Sequence, residues 1–444
     1  MQNQIKNIFG TDGIRGQVGN EPLSNASLQR LGCAIGVWIQ NKYGKGSKLL
    51  MAHDTRVSSS FVKAALTTGL LGQGISIVDG HILPTPAVVQ LLHYEKNAFQ
   101  AGLVISASHN PYQDNGIKII KGGGEKLTEQ DEEDISALFF KIFHPDYGCL
   151  GVSTVLENAQ KVYTDRLISF FPPAFLKDKK IVLDCAQGAV SALAGPLFQI
   201  FGATVIVIND QPDGFNINRQ CGALYPQMLQ KAVVEHGADA GFSFDGDGDR
   251  VITVNRWGAI KDGDDILAIL LRHPAYAHSS IVVGTIMSNQ GLEEYLISQQ
   301  KILMRSVVGD KYVAQMMSSA DALLGGEPSG HIIARDYLTT GDGLFIALRV
   351  CQTLDLINDW DMAMFAKFPQ ILINLIVPCR RDLQDPLIGG IVSQSRSLLT
   401  RGRLIVRYSG TEPLLRIMVE DSDYDHALSI GNHLSRQLQE LFSY

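Results

Sequence analysis

The chain lacks the residue patterns of zinc-binding, thiol-redox and nucleic-acid-binding proteins. Its six cysteines, at positions 33, 149, 185, 221, 351 and 379, are scattered without a Cys-x-x-Cys pair, so zinc-ribbon and dithiol motifs are missing. The net charge of −7 gives no support for a nucleic-acid partner, which usually requires a strongly basic face. Isolated cysteines are typical of reduced thiols in a cytoplasmic protein.

Long hydrophobic runs are also missing. No apolar run approaches the roughly 18 residues of a membrane helix, and the polar residues 1–6 lack the apolar region of a secretory signal. We therefore expect a cytoplasmic protein with no membrane partner. A hydrophobic content of 45% and a charged content of 19% are typical of a globular chain, and 444 residues predict two to four domains.

A serine-containing loop is the first feature that indicates chemistry. Residues 105–111 read Ile-Ser-Ala-Ser-His-Asn-Pro, and Pro111 keeps the segment from continuing as a helix. Ser106 and Ser108 both offer a hydroxyl. A serine hydroxyl is a weak nucleophile that needs activation or a phosphate already attached, so the loop predicts either a nucleophile or a phosphate carrier.

Three carboxylates at alternate positions form the second such feature. Residues 245–250 read Asp-Gly-Asp-Gly-Asp-Arg, and the glycines allow the turns that would aim Asp245, Asp247 and Asp249 at one ion. A calcium-binding EF-hand loop needs Gly at its sixth and Glu at its twelfth position, where this chain has Arg250 and Arg256. Mg²⁺, which takes carboxylates and phosphate oxygens together, is the better prediction.

Five segments together resemble the motifs of the α-D-phosphohexomutases. In chain order they are 9–16 (Phe-Gly-Thr-Asp-Gly-Ile-Arg-Gly), 105–111, 245–250, 326–331 (Gly-Glu-Pro-Ser-Gly-His) and 407–413 (Arg-Tyr-Ser-Gly-Thr-Glu-Pro). These segments are spread over nearly the whole chain, so the resemblance extends over almost all of it. The resemblance implies an α/β protein of four domains around a central active-site cleft, three similar α/β domains with mixed sheets and a smaller α+β C-terminal domain.

The domain boundaries follow from strand–loop–helix patterns and from proline and glycine positions. Apolar strands at 48–52, 180–184 and 280–284 precede predicted helices at 59–71, 189–201 and 291–299. Two strands at 403–407 and 414–420 and a helix at 425–442 with a leucine stripe predict the last domain. We expect domains at 1–150 with the phosphoserine loop, 151–254 with the metal loop, 255–367 with the sugar-binding loop and 368–444 with the phosphate-binding loop.

The resemblance assigns roles near the phosphate. It makes Ser108, directly before His-Asn-Pro, the phosphoserine rather than Ser106. One Mg²⁺ per chain is then held by Ser108, Asp245, Asp247 and Asp249. Lys118 becomes the general acid/base, for which we expect burial beside other cations to lower its pKa. The resemblance further implies that Arg15 balances the phosphate charge, while His109 either orients the phosphate or packs beside it.

The resemblance also assigns the substrate contacts. Arg250 would face the phosphoserine, and Glu327 and Ser329 would bind sugar hydroxyls, since a carboxylate accepts two hydrogen bonds. His331 is open between acid/base, supporting and structural roles, and Pro328 departs from the Gln common in relatives. The non-reacting phosphate would be bound by Arg407, Ser409, Gly410, Thr411 and Arg416.

The implied activity is the interconversion of glucosamine 6-phosphate and glucosamine 1-phosphate. It would proceed through a phosphoserine and a 1,6-bisphosphate, need a hexose 1,6-bisphosphate as activator, and feed UDP-N-acetylglucosamine and peptidoglycan precursor synthesis. Mannose or glucose phosphates are alternative substrates, and a catalytically idle sugar-phosphate sensor is an alternative function. We expect a small sugar phosphate as the partner, a monomer or homodimer, and a cleft lined by arginine and lysine on an acidic body.

Overall fold

A computed structural model describes residues 7–10, 12–95, 98–141, 150–409 and 413–442. The chain divides into two compact units. The first comprises residues 1–287 and 301–362, and the second comprises residues 288–300 and 363–444. Among the described residues, no helix is long and apolar enough to cross a membrane.

The first sheet has six strands: β1 (Ile14–Gln17), β2 (Lys48–His53), β3 (Ser76–Ile82), β4 (Ala101–Ile105), β5 (Asp114–Lys121) and β6 (Ser153–Val155). Its helices are α1 (Asn25–Tyr43), α2 (Ser59–Gly72), α3 (Thr85–Tyr94) and α4 (Glu129–Lys141). The strand order is β1-β5-β4-β2-β3-β6, with β2, β3, β4 and β6 parallel and β1 and β5 antiparallel to their neighbours. Since β2 and β4 are parallel neighbours, the segments that follow them leave the sheet at the same edge.

The second sheet also mixes strand directions. Its strands are β7 (Lys180–Asp184), β8 (Thr204–Ile208), β9 (Ala240–Phe244), β10 (Val251–Asn255) and β11 (Ile260–Lys261). They lie in the order β11-β10-β9-β7-β8. The helices in this part of the chain are α5 (Ala159–Ile168), α6 (Ala194–Ile200) and α7 (Gln227–Glu235). All five residues of β9 are buried, as is typical of a central strand that is covered on both faces.

The third sheet completes the first unit. Its strands are β12 (Ile281–Thr285), β13 (Ile302–Ser306), β14 (Leu324–Gly326) and β15 (Ile332–Ala334), in the order β13-β12-β14-β15. The helices are α8 (Gly263–Leu270), α9 (Gln290–Ser298), α10 (Asp310–Ser319) and α11 (Gly343–Ile357). Of these, α9 belongs to the second compact unit.

The second unit contains an antiparallel sheet of β16 (Gln370–Ile376), β17 (Gly402–Tyr408) and β18 (Leu414–Asp421), with β18 in the middle. Helices α12 (Pro386–Ser397) and α13 (Tyr424–Phe442) accompany it. Of the predicted leucine stripe on α13, Leu434 and Leu438 are buried in the core of this unit, and Leu428 and Leu441 pack against that core. The expected α/β class with mixed sheets and a smaller α+β C-terminal part is confirmed.

Two local features differ from the sequence reading. The helix expected at 189–201 begins only at Ala194, because the preceding residues form turns against the aspartate loop, where Ala189 N donates to Gly246 O at 2.9 Å. In addition, two strands pair across expected domain boundaries. Strand β6 lies after the boundary at 150 but pairs with β3 of the first domain, and β11 lies after the boundary at 254 but pairs with β10 of the second. The three domain boundaries stay a prediction.

A buried carboxyl connects three parts of the first unit. Asp342 caps the N-terminus of α11 by accepting a hydrogen bond from Phe345 N at 3.0 Å. It also accepts hydrogen bonds from the hydroxyls of Tyr163 on α5 and Tyr337, each at 3.0 Å. The Tyr337 hydroxyl in turn accepts one from Gln90 on α3. Burial raises the pKa of Asp342 to about 6, even though these hydrogen bonds favour the charged form.

We expect Asp342 to make folding stability depend on pH. Its folded pKa of about 6 lies above the ordinary 3.8, so the folded state binds the proton more tightly than the unfolded chain. The resulting stabilisation is full below about pH 4 and is lost as the pH rises through about 6, a change of roughly 3 kcal/mol.

Urea unfolding of the wild type and of Asp342→Asn across this pH range would measure the effect. Asparagine can still cap α11 but does not titrate. The stability of the wild type relative to the variant should therefore fall between pH 4 and pH 7. Parallel pH profiles for the two proteins would contradict the assignment.

Candidate active site

The serine loop follows β4, at the sheet edge that it shares with the end of β2. Ser108 is 1% exposed and has a φ of +52°, a conformation uncommon for residues other than glycine. Its hydroxyl donates to Asp245 Oδ2 at 2.6 Å. The Ser106 hydroxyl is used differently, since it donates to Asp54 Oδ2 at 2.6 Å and accepts from Ser108 N at 2.9 Å. Ser106 therefore holds the loop in shape, and Ser108 faces the aspartates.

Arg56 fixes the backbone of this loop, a role that the sequence reading missed. One guanidinium nitrogen, Nη2, donates to Ser108 O at 2.9 Å and to Asn110 O at 2.8 Å. The other, Nη1, donates to Pro111 O and to Asp114 O at the start of β5. Nε binds Asp54 Oδ2 at 2.8 Å. Asn218, which lies between β8 and β9 in the chain, donates through Nδ2 to the same carbonyls of Ser108 and Asn110, at 2.8 and 3.0 Å. The available signal was a charged pair, Asp54 and Arg56, directly after a buried parallel strand.

Replacing Arg56 should destabilise the fold strongly. In Arg56→Met, the buried carboxyl group of Asp54 loses its cation, and loss of one partner of a buried ion pair typically costs roughly 3–5 kcal/mol. Urea unfolding followed by circular dichroism measures the loss. Arg396→Met is the control for removal of a guanidinium, because Arg396 is exposed in the second unit and its Nη2 donates a long hydrogen bond to Leu404 O, at 3.4 Å. A cost below about 1 kcal/mol for Arg56→Met would contradict this account.

The three aspartates of the predicted metal loop converge after β9. Asp245, Asp247 and Asp249 are 1%, 0% and 4% exposed, and one carboxylate oxygen from each lies within 4.8 Å of the others. The two glycines between them are both needed. A Cβ on Gly246 would lie 2.7 Å from the carbonyl oxygen of Ser108, and Gly248 has a φ of +71°.

The residues fit a hard cation. Asp247 Oδ1 and Asp249 Oδ1 are buried and have no hydrogen-bond partner among the described residues. The Lys118 ammonium already lies between the other two oxygens, 2.9 Å from Asp247 Oδ2 and 3.0 Å from Asp249 Oδ2. Buried carboxylate oxygens with open lone pairs suit Mg²⁺. The structure thus brings together the four predicted ligands, Ser108 and the three aspartates.

The expected lowered pKa of Lys118 is wrong. Burial by itself would lower the pKa of this lysine, but Asp12, Asp247 and Asp249 outweigh the burial and raise the pKa well above its usual value. The nearest charges are carboxylates rather than cations, with Asp12 Oδ2 3.2 Å from Lys118 Nζ. Conversely, burial followed by the charges of Asp249 and Asp247 raises the pKa of Asp245.

Further basic residues lie around Asp12 and the triad. Arg15 donates to Asp12 Oδ2 at 2.6 Å and to Ala107 O at 3.4 Å. Arg250 donates its backbone N–H to Asp245 Oδ1 at 3.2 Å. Lys126 pairs with Asp310. One cleft of the first unit is lined by acidic and basic side chains together: Asp12, Lys118, Lys126, Asp249, Asp310 and Lys311. Asp12, Lys126 and Asp310 were not assigned a role from the sequence.

His109 lies beside the hydroxyl of Ser108. Its Nδ1 is 3.3 Å from Ser108 Oγ. Burial, and then the charges of Arg250 and Arg15, lower the pKa of His109 to about 4. The imidazole is therefore neutral at pH 7, and a role as a proton donor from its charged form has no support.

The predicted sugar-binding loop connects β14 and β15. Glu327 is 8% exposed and accepts from Gly309 N at 2.9 Å, while Ser329 is half-buried. His331 Nε2 accepts from Gly341 N at 3.1 Å, and its Nδ1 lies 3.7 Å from Asp249 Oδ1. Burial would lower the pKa of His331, but Asp249 outweighs it and raises the pKa. The loop therefore lies next to the aspartates.

The predicted phosphate-binding loop lies in the second unit. Arg407 on β17 and Arg416 on β18 are paired across the two strands. Burial, and then the charge of Arg416, lower the pKa of Arg407. Ser409 is buried, and its carbonyl oxygen accepts from Arg380 Nη2 at 2.6 Å. Two members of the predicted set, Gly410 and Thr411, lie outside the described residues.

Comparison with known proteins shows to which protein family the chain belongs. Four domain models of one family, phosphoglucomutase/phosphomannomutase, match the chain: alpha/beta/alpha domains I, II and III at residues 6–145, 161–258 and 262–359, and the C-terminal domain at residues 372–434. A phosphoglucomutase/phosphomannomutase family protein from Burkholderia thailandensis has the same fold, with a TM-score of 0.81, 21% identity, and coverage of 99% of this chain and 98% of that one. The chain belongs to this family, whose members are phosphomutases and hence isomerases.

Relatives that match over nearly their whole length show which group within the family this chain resembles. A phosphoglucosamine mutase of Thermus thermophilus is 40% identical over 98% of both chains. The phosphoglucosamine mutase of Coxiella burnetii is 41% identical over 98% of this chain and 99% of its own. The resemblance stated from the five motifs is confirmed, together with the activity group that it implied.

Proposed function

We propose that the protein interconverts glucosamine 6-phosphate and glucosamine 1-phosphate, with Ser108 as phosphate carrier. The observation that carries the proposal is the 2.6 Å hydrogen bond from the Ser108 hydroxyl to Asp245, inside a buried cluster of three aspartates. A carrier oxygen at an oxygen-rich cation site is the arrangement that phosphoryl transfer requires. The names of the full-length relatives support the choice of sugar.

Asp245, Asp247, Asp249 and a phosphate oxygen on Ser108 would hold one Mg²⁺ per chain. When bound, the ion would act as a Lewis acid and template for the transferring phosphoryl group. The oxygens that would take part are buried, and two of them have no hydrogen-bond partner among the described residues. Arg15 and Arg250 would balance the charge of the phosphoserine, which is about −1.5 to −2 at neutral pH. Neutral His109 would orient it.

In the proposed reaction, the bond between Ser108 Oγ and phosphorus breaks as a sugar oxygen bonds to the same phosphorus. The sugar hydroxyl loses a proton, and the serine oxygen gains one. Lys118, whose pKa is raised by its carboxylate neighbours, has a proton to give to the serine oxygen. It could accept the sugar proton only after it has given up its own proton, which requires that contacts to those carboxylates are lost.

The bisphosphate formed in this step would return its other phosphoryl group to Ser108. Glu327, Ser329 and His331 would bind the sugar. The non-reacting phosphate would be bound by Arg407, Ser409, Gly410, Thr411 and Arg416. Paired arginines next to a loop with backbone N–H groups are suited to an anion. Loss of the bisphosphate would leave Ser108 unphosphorylated, which explains the proposed need for a hexose 1,6-bisphosphate activator.

We also propose that the protein acts in the cytoplasm, where its product would enter UDP-N-acetylglucosamine and peptidoglycan precursor synthesis. The expected monomer or homodimer stays a prediction.

Formation of 1-phosphate followed by ³¹P NMR would test the function. The protein is supplied with Mg²⁺, trace glucose 1,6-bisphosphate and, in parallel, glucosamine, glucose and mannose 6-phosphates. The fastest turnover should be that of glucosamine 6-phosphate. Faster turnover of glucose or mannose 6-phosphate would change the substrate, and no turnover of any sugar would favour a sugar-phosphate sensor.

A further inference from the structure

Thr85 contacts the metal loop twice. This residue begins α3 and is 5% exposed. Its backbone N–H donates to Asp247 O at 2.9 Å, and its hydroxyl donates to Asp247 Oδ2 in a close contact. The start of the helix packs on the loop at a second point, where a Cβ on Gly248 would lie 3.1 Å from Pro84 Cβ.

We propose that Thr85 is a positioning residue that orients Asp247 for the cation. The proposal rests on the metal site proposed above. The hydroxyl of Thr85 and the ammonium of Lys118, at 2.9 Å, both bind Asp247 Oδ2. The other oxygen, Asp247 Oδ1, is buried and has no hydrogen-bond partner among the described residues. The carboxylate is thus fixed by one oxygen and offers the second to the ion.

The chemistry of the hydroxyl explains why this contact is suited to a metal ligand. A carboxylate that binds a cation keeps its orientation best when its remaining lone pairs accept hydrogen bonds from fixed donors, and loss of such a donor typically weakens metal binding about 10- to 100-fold. Thr85 is a fixed donor, because its backbone is already bonded to Asp247 O. Lys118, in contrast, is shared among Asp12, Asp247 and Asp249.

The test measures binding of Mn²⁺, used as a spectroscopic substitute for Mg²⁺, to the full-length protein by electron paramagnetic resonance, without substrate. Thr85→Val removes the hydroxyl and keeps the shape, and Thr85→Ser keeps the hydroxyl. Thr353→Val is the matched control, since Thr353 is fully buried on α11 and its hydroxyl donates to Arg349 O at 2.7 Å. If Thr85→Val does not fold, as judged by circular dichroism, Thr85→Ala takes its place.

We expect the Kd for Mn²⁺ to rise about tenfold or more in Thr85→Val and to stay within threefold of the wild type, roughly 0.7 kcal/mol, in Thr85→Ser and Thr353→Val. Unchanged Mn²⁺ affinity in Thr85→Val would overturn the proposal. An equal loss in Thr353→Val would overturn it too, because general destabilisation would then explain both. If the wild type binds no Mn²⁺, the proposed metal site itself fails, an outcome distinct from failure of Thr85 alone.

Discussion

Ser108→Ala should lose turnover by roughly 10⁴-fold or more, since removal of a group on which the covalent step depends has effects of this order. The hydroxyl of Ser108 donates to Asp245, at 2.6 Å, and alanine has no oxygen to carry a phosphoryl group. ³¹P NMR with glucosamine 6-phosphate gives the rate. Intact mass spectrometry after incubation with glucose 1,6-bisphosphate shows whether one phosphoryl group has been added.

Ser106→Ala is the matched control for this experiment. The Ser106 hydroxyl binds Asp54 and the backbone of Ser108, so its loss should lower stability while phosphate incorporation persists. Incorporation in Ser108→Ala together with its loss in Ser106→Ala would identify Ser106 as the carrier instead. Near-normal turnover in Ser108→Ala would sink the phosphoserine mechanism.

Asp247→Asn should produce the second-largest effect, a fall in kcat of roughly 10²–10³-fold. Asp247 is fully buried, and it is the aspartate contacted by both Lys118 and Thr85. Asparagine keeps the size of the side chain but brings no negative charge to the cation or to Lys118. Rates measured over a series of Mg²⁺ concentrations should show a higher Mg²⁺ requirement as well as a lower plateau.

Asp385→Asn provides the control for removal of one carboxylate charge. Asp385 caps α12 in the second unit by accepting from Leu387 N at 2.8 Å, and asparagine caps helices equally well. Its activity should match the wild type. If Asp247→Asn retained activity within tenfold of that control, the aspartate cluster would have to be reassigned as structural.

The sequence predicted the parts of the site that depend on local patterns. Alternating aspartates and glycines are sufficient to predict a turn that gathers carboxylates, and Gly248 indeed has a positive φ. The shape of the serine loop was not predictable in this way, because Arg56 and Asn218 are brought to it from distant positions in the chain. Thr85 was missed for the same reason, since nothing near it in sequence indicates a contact with Asp247.

Lys118 shows most clearly what could not be predicted from the sequence. Its position ten residues after Ser108 indicated proximity to the phosphate, but the direction of its pKa shift depends on which charges the fold places around it. Asp12 arrives from the N-terminal segment and two aspartates from the second sheet. The shortened α6 has a similar cause, since a tertiary contact with Gly246 replaces the first helical turn that local propensity favoured.

The shape of the serine loop is held by contacts other than those of the Ser108 side chain. Arg56 and Asn218 bind its carbonyl oxygens, which every amino acid possesses. The carrier position can therefore be exchanged without redesign of the loop. Cysteine at 108 would present another phosphate-accepting atom close to the position of the serine oxygen, whereas β-branched threonine would be strained at a φ of +52°. The backbone of this loop is therefore suited to engineering phosphotransfer with a different nucleophile at position 108.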